Sequence, residues 1–419
     1  MEVDPHLFRH SAGRMVAALT RIFGVHNMAL AEDVTQDALC RAVEVWKFSG
    51  VPDNPSAWLM ATAKNRALDI LRRDRTARTS EPELARLIGS EWTLATTLDE
   101  RFQPGAIRDD QLRMMFSCCQ PRLPEEAQLA LVLNVLCGFG AAEVASALLT
   151  SEAAAAKRLT RAKKVLASSK SLFELEGEDL APRLAVVQRA LYLLFNEGYQ
   201  GASPESSIRV TLCHEAMNLA SMLLEHPSCA TPTTHALLAL MSLHAARMPA
   251  RMDEAGDLLS LIEQDRSRWD ARLASEGLRW LALSASGDVL SEYHVEAAIA
   301  SVHATAPTAE DTQWKDIVGL YDTLMILRPS PAAALGRAIA LGQAEGPERG
   351  LEALHAIEGR DRLESSPFYA AAIAELELRR GYAAAACAAF ELALTRARSP
   401  AERTYLERRA RIALTARDT

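Results

Sequence analysis

Basic residues suited to binding phosphate groups and base edges are concentrated in two stretches of this sequence. The first is SEAAAAKRLTRAKKVL (151–166), in which Lys157, Arg158, Arg161 and Lys164 fall away from the apolar positions. Arginine forks match guanine edges or phosphate oxygens, and lysine ammonium groups neutralise phosphates. The chemistry that these residues predict is binding to DNA, although such a helix taken alone is more often just a solvated face.

The second stretch runs from 64 to 78 and holds six basic residues against two acidic ones. Such a concentration suits contact with phosphates, while asparagine and aspartate side chains can pair with base edges. The candidate contact residues are Lys64, Asn65, Asp69, Arg72 and Arg73. A solvated helix face without a ligand is the alternative, and this stretch alone leaves it open.

A helix and a tight turn precede the first basic stretch. In LPEEAQLALVLNVLCGFGAAEVASALLT (123–150) the apolar positions change phase at GFG, so one helix ends there and another begins at Ala141. Ser151 is a natural N-cap for the last helix. The residues expected to form its buried stripe are Ala155, Leu159, Ala162 and Leu166. This spacing predicts a helix-turn-helix whose last helix enters the major groove.

Two upstream segments are typical of amphipathic helices. Residues 54–78 place four apolar residues inward, namely Leu59, Ala63, Ala67 and Ile70. Residues 30–46 place Val34, Ala38, Ala42 and Val45 inward and expose Glu32, Asp33, Gln36 and Asp37. Because an acidic face is unsuited to DNA, it indicates a surface that docks on another protein, or a merely soluble face.

The charge of the chain is divided unevenly. Residues 1–170 hold 22 basic and 20 acidic residues, whereas residues 171–419 hold 24 and 34. Only the first part therefore suits a polyanion. Aromatic residues make up 5% of the chain and Ala, Leu, Arg and Glu abound, so we expect an all-α protein.

Several classes of function are disfavoured by motifs that the sequence lacks. It has no P-loop, GxSxG or HExxH motif, and His214 with Glu215 lacks the second histidine of a metalloprotease helix. The adjacent Cys118 and Cys119 fit buried thiols better than a redox site. We expect no catalytic residue, no metal and no cofactor. The first residues lack a signal-peptide pattern and no apolar run could span a membrane, so we expect a cytoplasmic protein without a membrane partner.

Composition divides the chain into four segments. We expect two small helical DNA-binding domains at 1–79 and 111–170, joined by a polar linker at 80–110. An all-helical extension at 171–419 follows, rich in alanine and leucine and punctuated by glycine and proline.

The extension carries signs of a helical repeat. Within 369–400, Gly381 marks a turn between two helices, and Ala386, Phe390 and Ala393 follow at the spacing of a tetratricopeptide unit. Gly350 and Leu354 precede Ala386 and Phe390 by 36 residues, close to the expected period of about 34. We therefore expect stacked, tetratricopeptide-like helical hairpins, with an ordinary α-helical domain as the alternative.

These segments, in this order, resemble the sigma-70 family of RNA polymerase sigma factors, in particular the extracytoplasmic-function class that keeps regions 2 and 4. AEDVTQDALCRAVEVW (31–46) resembles region 2.2, and NPSAWLMATAKNRALDILRRDR (54–75) is similar to regions 2.3 and 2.4. Residues 123–166 resemble region 4. The extension, with its run YLLFNEGY (192–199), resembles a subgroup with a tetratricopeptide-like C-terminal domain.

The resemblance implies a protein that joins core RNA polymerase to promoter DNA and aids promoter melting. Asp33, Gln36 and Asp37 would dock on the β′ clamp helices, and region 4 would contact the β flap. Arg158, Arg161 and Lys163 match the family's basic positions for the −35 element, while Ala155 and Ala156 depart from its usual residues and imply distinctive base contacts. The polar residues of 64–73 match positions that melt and read the −10 element, and the loop at 48–56 would capture a flipped base. In this subgroup the extension supports or regulates activity.

Two other interpretations compete with this one. A helix-turn-helix regulator whose helical repeats sense a ligand or partner leaves residues 30–78 unexplained. A pure interaction scaffold leaves both basic helices unexplained.

Overall fold

A computed structural model describes the fold of residues 5–23, 27–77, 104–148, 150–168, 177–200, 209–364, 366–397 and 399–418. Within these ranges the chain forms eighteen α-helices and no strand, with one isolated antiparallel bridge between Met252 and Leu258. The all-α prediction is therefore confirmed. The chain divides into two compact units, one comprising 1–194 with 225–229 and the other 195–224 with 230–419.

The first unit contains seven complete helices and most of an eighth. They are α1 (Pro5–Phe23), α2 (Met28–Ser49), α3 (Pro55–Ala77), α4 (Pro104–Cys118), α5 (Glu125–Val135), α6 (Ala141–Ala147), α7 (Glu152–Ala167) and α8 (Gly177–Gln200). Helix α4 begins inside the segment predicted as a linker, with Pro104 at the first helical position, where its missing N–H costs nothing. Residues 78–103 of that linker lie outside the described residues.

Helices α1, α2 and α3 share one apolar core. The residues predicted to face inward from α3 do so, since Leu59, Ala63 and Ala67 are fully buried and Ile70 packs against the same cluster. The prediction for α2 is wrong at one position, because Trp46 is buried while Val45 is 37% exposed. The Trp46 ring stacks on Phe8 with 5.6 Å between ring centroids, so Trp46 rather than Val45 packs into the core at the end of α2.

Helix α5 is buried along nearly its whole length and lies close to α1. A Cβ atom built on Gly13 would lie 2.0 Å from the carbonyl oxygen of Leu136, so only glycine allows the two backbones to approach this closely. The side chain of Asp110, fully buried in α4, lies 3.8 Å from the Nε atom of Arg21 in α1. These contacts unite α1–α3 and α4–α7 in one unit.

The second unit contains the end of α8 and ten further helices. They are α9 (Val210–Leu224), α10 (Pro232–Ala246), α11 (Ala271–Ser284), α12 (Glu292–Thr305), α13 (Trp314–Leu327), α14 (Pro331–Ala344), α15 (Pro347–His355), α16 (Pro367–Arg379), α17 (Ala383–Thr395) and α18 (Pro400–Asp418). Consecutive helices from α10 onward pack against each other as stacked hairpins. The predicted architecture of the extension is therefore confirmed.

The positions that suggested a repeat lie in the hairpin cores. Ala386, Phe390 and Ala393 are fully buried between α16, α17 and α18. Gly381 has a φ of +82°, which suits glycine at the turn between α16 and α17. At the preceding hairpin, a Cβ on Gly350 would lie 2.8 Å from the Cα atom of Gly342, so α14 and α15 pack with their backbones nearly in contact.

Candidate nucleic-acid interface

Helix α7 has the buried stripe and the N-cap that its sequence predicts. The Ser151 hydroxyl accepts a hydrogen bond from the backbone N–H of Ala154 at 3.3 Å, which satisfies one of the unpaired donors of the first turn. Ala155, Leu159, Ala162 and Leu166 are all buried. Helix α6 ends at Ala147, so only residues 148–151 separate the two helices. This is a helix-turn-helix, with α7 as the second helix.

The five basic residues predicted to contact DNA from α7 differ in their surroundings. Lys157, Arg161 and Lys164 are exposed to solvent. Arg158 is ion-paired with Glu126 of α5, with 2.6 Å between Nη2 and Oε2. Lys163 is ion-paired with Glu32 of α2, also at 2.6 Å. The structure thus presents three of the five side chains to solvent and holds two against carboxylates.

Helix α3 carries the second predicted contact surface. Asn54 caps it, since its Oδ1 atom accepts a hydrogen bond from the N–H of Ala57 at 3.0 Å. Asn65, Asp69 and Arg73 are exposed on the side away from the core, and Lys64 is half-buried. The helical backbone includes Arg72, whose side chain lies outside the described residues. Asn65, Asp69 and Arg73 therefore remain accessible on α3.

Helix α2 exposes the three residues predicted to dock on polymerase: Asp33, Gln36 and Asp37. The carboxylate of Asp37 accepts a hydrogen bond from the Nε atom of Arg66 in α3 at 2.7 Å. Both side chains remain accessible, with 39% of Arg66 and 52% of Asp37 exposed. Arg66 is not among the predicted contact residues, although it lies within the basic stretch of 64–78.

An exposed aromatic side chain lies at the end of α2, next to the loop that joins α2 to α3. Phe48 is 86% exposed, more than any other large apolar residue that the structure describes. The nearby Val51 is also exposed. By contrast, Trp58 is partly buried against the core and meets the edge of Trp46 at 5.3 Å between ring centroids.

The buried thiols of Cys118 and Cys119 in the first unit are poor nucleophiles at neutral pH. Cys118 and Cys119 are both buried, as the sequence indicated. Burial raises the pKa of Cys118 to about 12, so its thiolate is scarce at neutral pH. Among the residues that the structure describes, no group of three or more acidic, cysteine or histidine side chains is placed to hold a metal ion. No helix within the described ranges has the length and apolar character needed to cross a bilayer.

Three family models match separate parts of the chain. Residues 7–77 match the family model described as Sigma-70 region 2, and residues 113–166 match the model described as Sigma-70, region 4. Residues 183–285 match a family of unknown function (DUF6596). An uncharacterized protein of Rhizobium meliloti (strain 1021) is 37% identical over 396 residues, which is 93% of this chain and 91% of that protein.

Proposed function

We propose specific roles for the parts of this chain, which belongs to the sigma-70 family of RNA polymerase sigma factors. Members of this family act in transcription initiation as binding proteins for core RNA polymerase and promoter DNA, and they are not enzymes. The bacterial polymerase is cytoplasmic, so the chain acts in the cytoplasm.

Helix α7 reads the −35 element in the major groove. The observation that carries this proposal is the exposed basic side of a helix that is capped, buried on its other side and preceded by a tight turn. Arg161 donates to a guanine edge or a phosphate, and Lys157 and Lys164 neutralise the backbone. Arg158 and Lys163 join them after exchanging Glu126 and Glu32 for base edges or phosphates of the DNA.

Helix α3 and the loop before it hold the melted −10 strand. Lys64, Arg72 and Arg73 supply positive charge, while Asn65 and Asp69 meet base edges that are unpaired in the open promoter. Contacts made only with unpaired bases stabilise the melted state over the duplex, because the duplex hides those edges. Binding energy is thereby directed to promoter opening.

The exposed acidic side of α2 docks on the polymerase. Asp33, Gln36 and Asp37 present carboxylates and an amide that suit a basic or polar helical partner, which we assign to the β′ clamp helices. The helix-turn-helix unit contacts the β flap. The helical extension supports or regulates this assembly. It does not bind the DNA, because its net charge is acidic.

Run-off transcription with purified core polymerase tests these roles. The full chain is expected to direct transcripts from a defined set of genomic promoters. Arg161→Ala is expected to weaken use of those promoters by roughly 5- to 150-fold, since one good base contact is worth about 1–3 kcal/mol. Arg122→Ala, an exposed arginine in the turn before α5, is the matched control and is expected to transcribe normally.

Two outcomes would contradict the proposal. Unchanged promoter use by Arg161→Ala would remove α7 as the reader of the −35 element. No transcript and no binding to core polymerase would reject the sigma role itself, and would favour a helix-turn-helix regulator with a ligand- or partner-sensing extension.

A further inference from the structure

Two arginines of the second unit have no ion-pair partner among the residues that the structure describes. Arg247, directly after α10, is partly buried, and its Nε atom donates one long hydrogen bond to the Gln264 side chain at 3.4 Å. Its guanidinium also lies over the Trp269 ring, 5.6 Å from the centroid. Within the described residues it forms no ion pair. Desolvation lowers the pKa of Arg247, the expected effect of burying a cation without a counter-ion.

Arg251 is the second such arginine. Its guanidinium lies 4.0 Å from the centroid of the Tyr199 ring and donates a hydrogen bond to the backbone carbonyl of Tyr199. It too has no carboxylate partner within the described residues. Arg251 is near enough to Arg247 to lower its pKa, and after desolvation by burial both arginines lower the pKa of His244.

A third arginine nearby, Arg266, has a structural role and differs in this from Arg247 and Arg251. Arg266 donates to the carbonyl of His303 at 2.8 Å and to the hydroxyl of Thr312 at 2.9 Å, and it also bonds the carbonyl of Ala306. These contacts satisfy the end of α12. Negative charge from Glu310 also reaches it. Arg247 and Arg251 have no comparable set of acceptors.

Buried polar atoms without partners surround the same two arginines. They are the Nδ1 atoms of His244 and His303, the hydroxyl of Tyr199 and the indole N–H of Trp269, and none has a hydrogen-bond partner within the described residues. The His244 ring lies 5.1 Å from the Tyr199 ring, between centroids. An unpaired buried polar group destabilises a fold. Four such groups in one region therefore indicate a site for a ligand that forms hydrogen bonds with them.

From these groups we infer that the second unit binds a phosphate group at Arg247, Arg251 and His244. Two guanidinium groups match the double charge of a phosphate dianion. One carboxylate would neutralise only one of the two guanidinium charges. The phosphate oxygens also accept from the indole and hydroxyl donors that have no partner in the fold. The phosphate is that of inorganic phosphate or of a small phosphate ester, and this binding goes beyond the sigma role.

The run at 192–199, which the transcription role leaves without a function, builds one wall of this site. A Cβ on Gly198 would lie 2.9 Å from the carbonyl oxygen of Arg209, so glycine is required for α8 to approach the start of α9. Glu197 is ion-paired with Arg209 and is thereby kept from neutralising the site. Tyr199, at the end of the run, carries its ring under Arg251.

Isothermal titration of the full chain with inorganic phosphate, glycerol phosphate and acetate, at one ionic strength, tests the inference. Saturable one-to-one binding of phosphate, with a rise in Tm, is expected, and acetate is expected to bind at least tenfold more weakly. Tighter binding of glycerol phosphate than of inorganic phosphate would identify an ester as the natural ligand, and the reverse would identify the free ion. No saturable binding of either phosphate overturns the inference.

Variants separate a binding role from a structural one. Arg247→Gln is expected to lower phosphate affinity at least tenfold and to raise the Tm of the ligand-free chain, because it removes a buried charge that nothing neutralises. Arg279→Gln is the matched control, since Arg279 is exposed and lies over the Trp280 ring at 3.9 Å in the same unit. A lower Tm with unchanged phosphate affinity in Arg247→Gln would overturn the site. His244→Gln provides the same affinity test if Arg247→Gln fails to fold.

Discussion

At the scale of single residues, Arg158 and Lys163 each have an ion pair that competes with the proposed contact to DNA. Each is paired with a carboxylate, Glu126 or Glu32, and each pair is partly exposed. An exposed ion pair contributes about 0–1 kcal/mol, whereas a good contact with a base edge contributes about 1–3 kcal/mol. The exchange therefore favours DNA. These pairs connect α7 to α5 and α2, and we expect that they do not prevent DNA binding.

Phe48 supports a residue-scale prediction about promoter melting. An aromatic ring that is 86% exposed beside the loop to α3 can stack on an unpaired base, and such stacking is worth about 1–3 kcal/mol. Phe48→Ala is expected to shorten the lifetime of the open complex by roughly 5- to 150-fold, measured by permanganate footprinting. Val43→Ala, which removes a 52% exposed apolar side chain from the same helix, is expected to leave that lifetime unchanged. Equal lifetimes for Phe48→Ala and the unsubstituted chain would exclude this stacking.

At the scale of elements, local patterns predicted helices well and the contacts between distant helices poorly. The stripe and cap of α7 follow from spacing along one helix, which the sequence contains in full. The burial of Trp46 in place of Val45 depends on Phe8 of α1, whose position no local pattern could supply. A glycine inside the long helix α1 was a usable signal of close packing, because glycine is costly there unless space demands it.

Gly13 supports a prediction about how α1 meets α5. Alanine is normally favoured over glycine inside a helix by roughly 0.5–1 kcal/mol. At Gly13, however, the new Cβ would overlap a backbone carbonyl that cannot rotate away, so Gly13→Ala is expected to destabilise this contact by about 1–3 kcal/mol. Faster hydrogen exchange in α1 and α5 is the measurement.

Gly319→Ala is the matched control for that substitution. Gly319 also lies inside a helix, α13, but a Cβ there would meet nothing within 4 Å. Gly319→Ala is expected to stabilise α13, so the two Gly→Ala substitutions should change stability in opposite directions. Slower or unchanged exchange in α1 and α5 of Gly13→Ala would show that these backbones are not in contact.

At the scale of the whole molecule, net charge indicates which part of the chain suits DNA but does not indicate the phosphate site proposed in the second unit. The excess of acidic residues in 171–419 disfavours a polyanion there. The same segment folds so that Arg247 and Arg251 are near enough to interact electrostatically, while Glu197 pairs with Arg209. A sum over sequence cannot report such a local excess, because it depends on which charges the fold brings together.

Two buried histidines make the stability of the second unit depend on pH. Burial, together with neighbouring arginines, lowers the pKa of His244 and of His303 to about 3, from an ordinary value of 6.5. The unfolded chain therefore binds protons between pH 6.5 and pH 3 that the folded chain does not. The free energy of unfolding is fully present above pH 6.5 and falls as the pH is lowered through this range.

Urea unfolding in phosphate-free buffer at pH 7 and pH 5 tests this dependence. At pH 5 each such histidine is expected to lower the free energy of unfolding by about 2 kcal/mol relative to pH 7. His244→Gln, which cannot take up the proton, is expected to lose correspondingly less stability between the two pH values. His214→Gln removes an exposed histidine from α9 and is expected to retain the full dependence. If His244→Gln and His214→Gln lost equal stability at pH 5, the His244 ring would not be buried in its neutral form, and the cationic surroundings assigned to it would have to be abandoned.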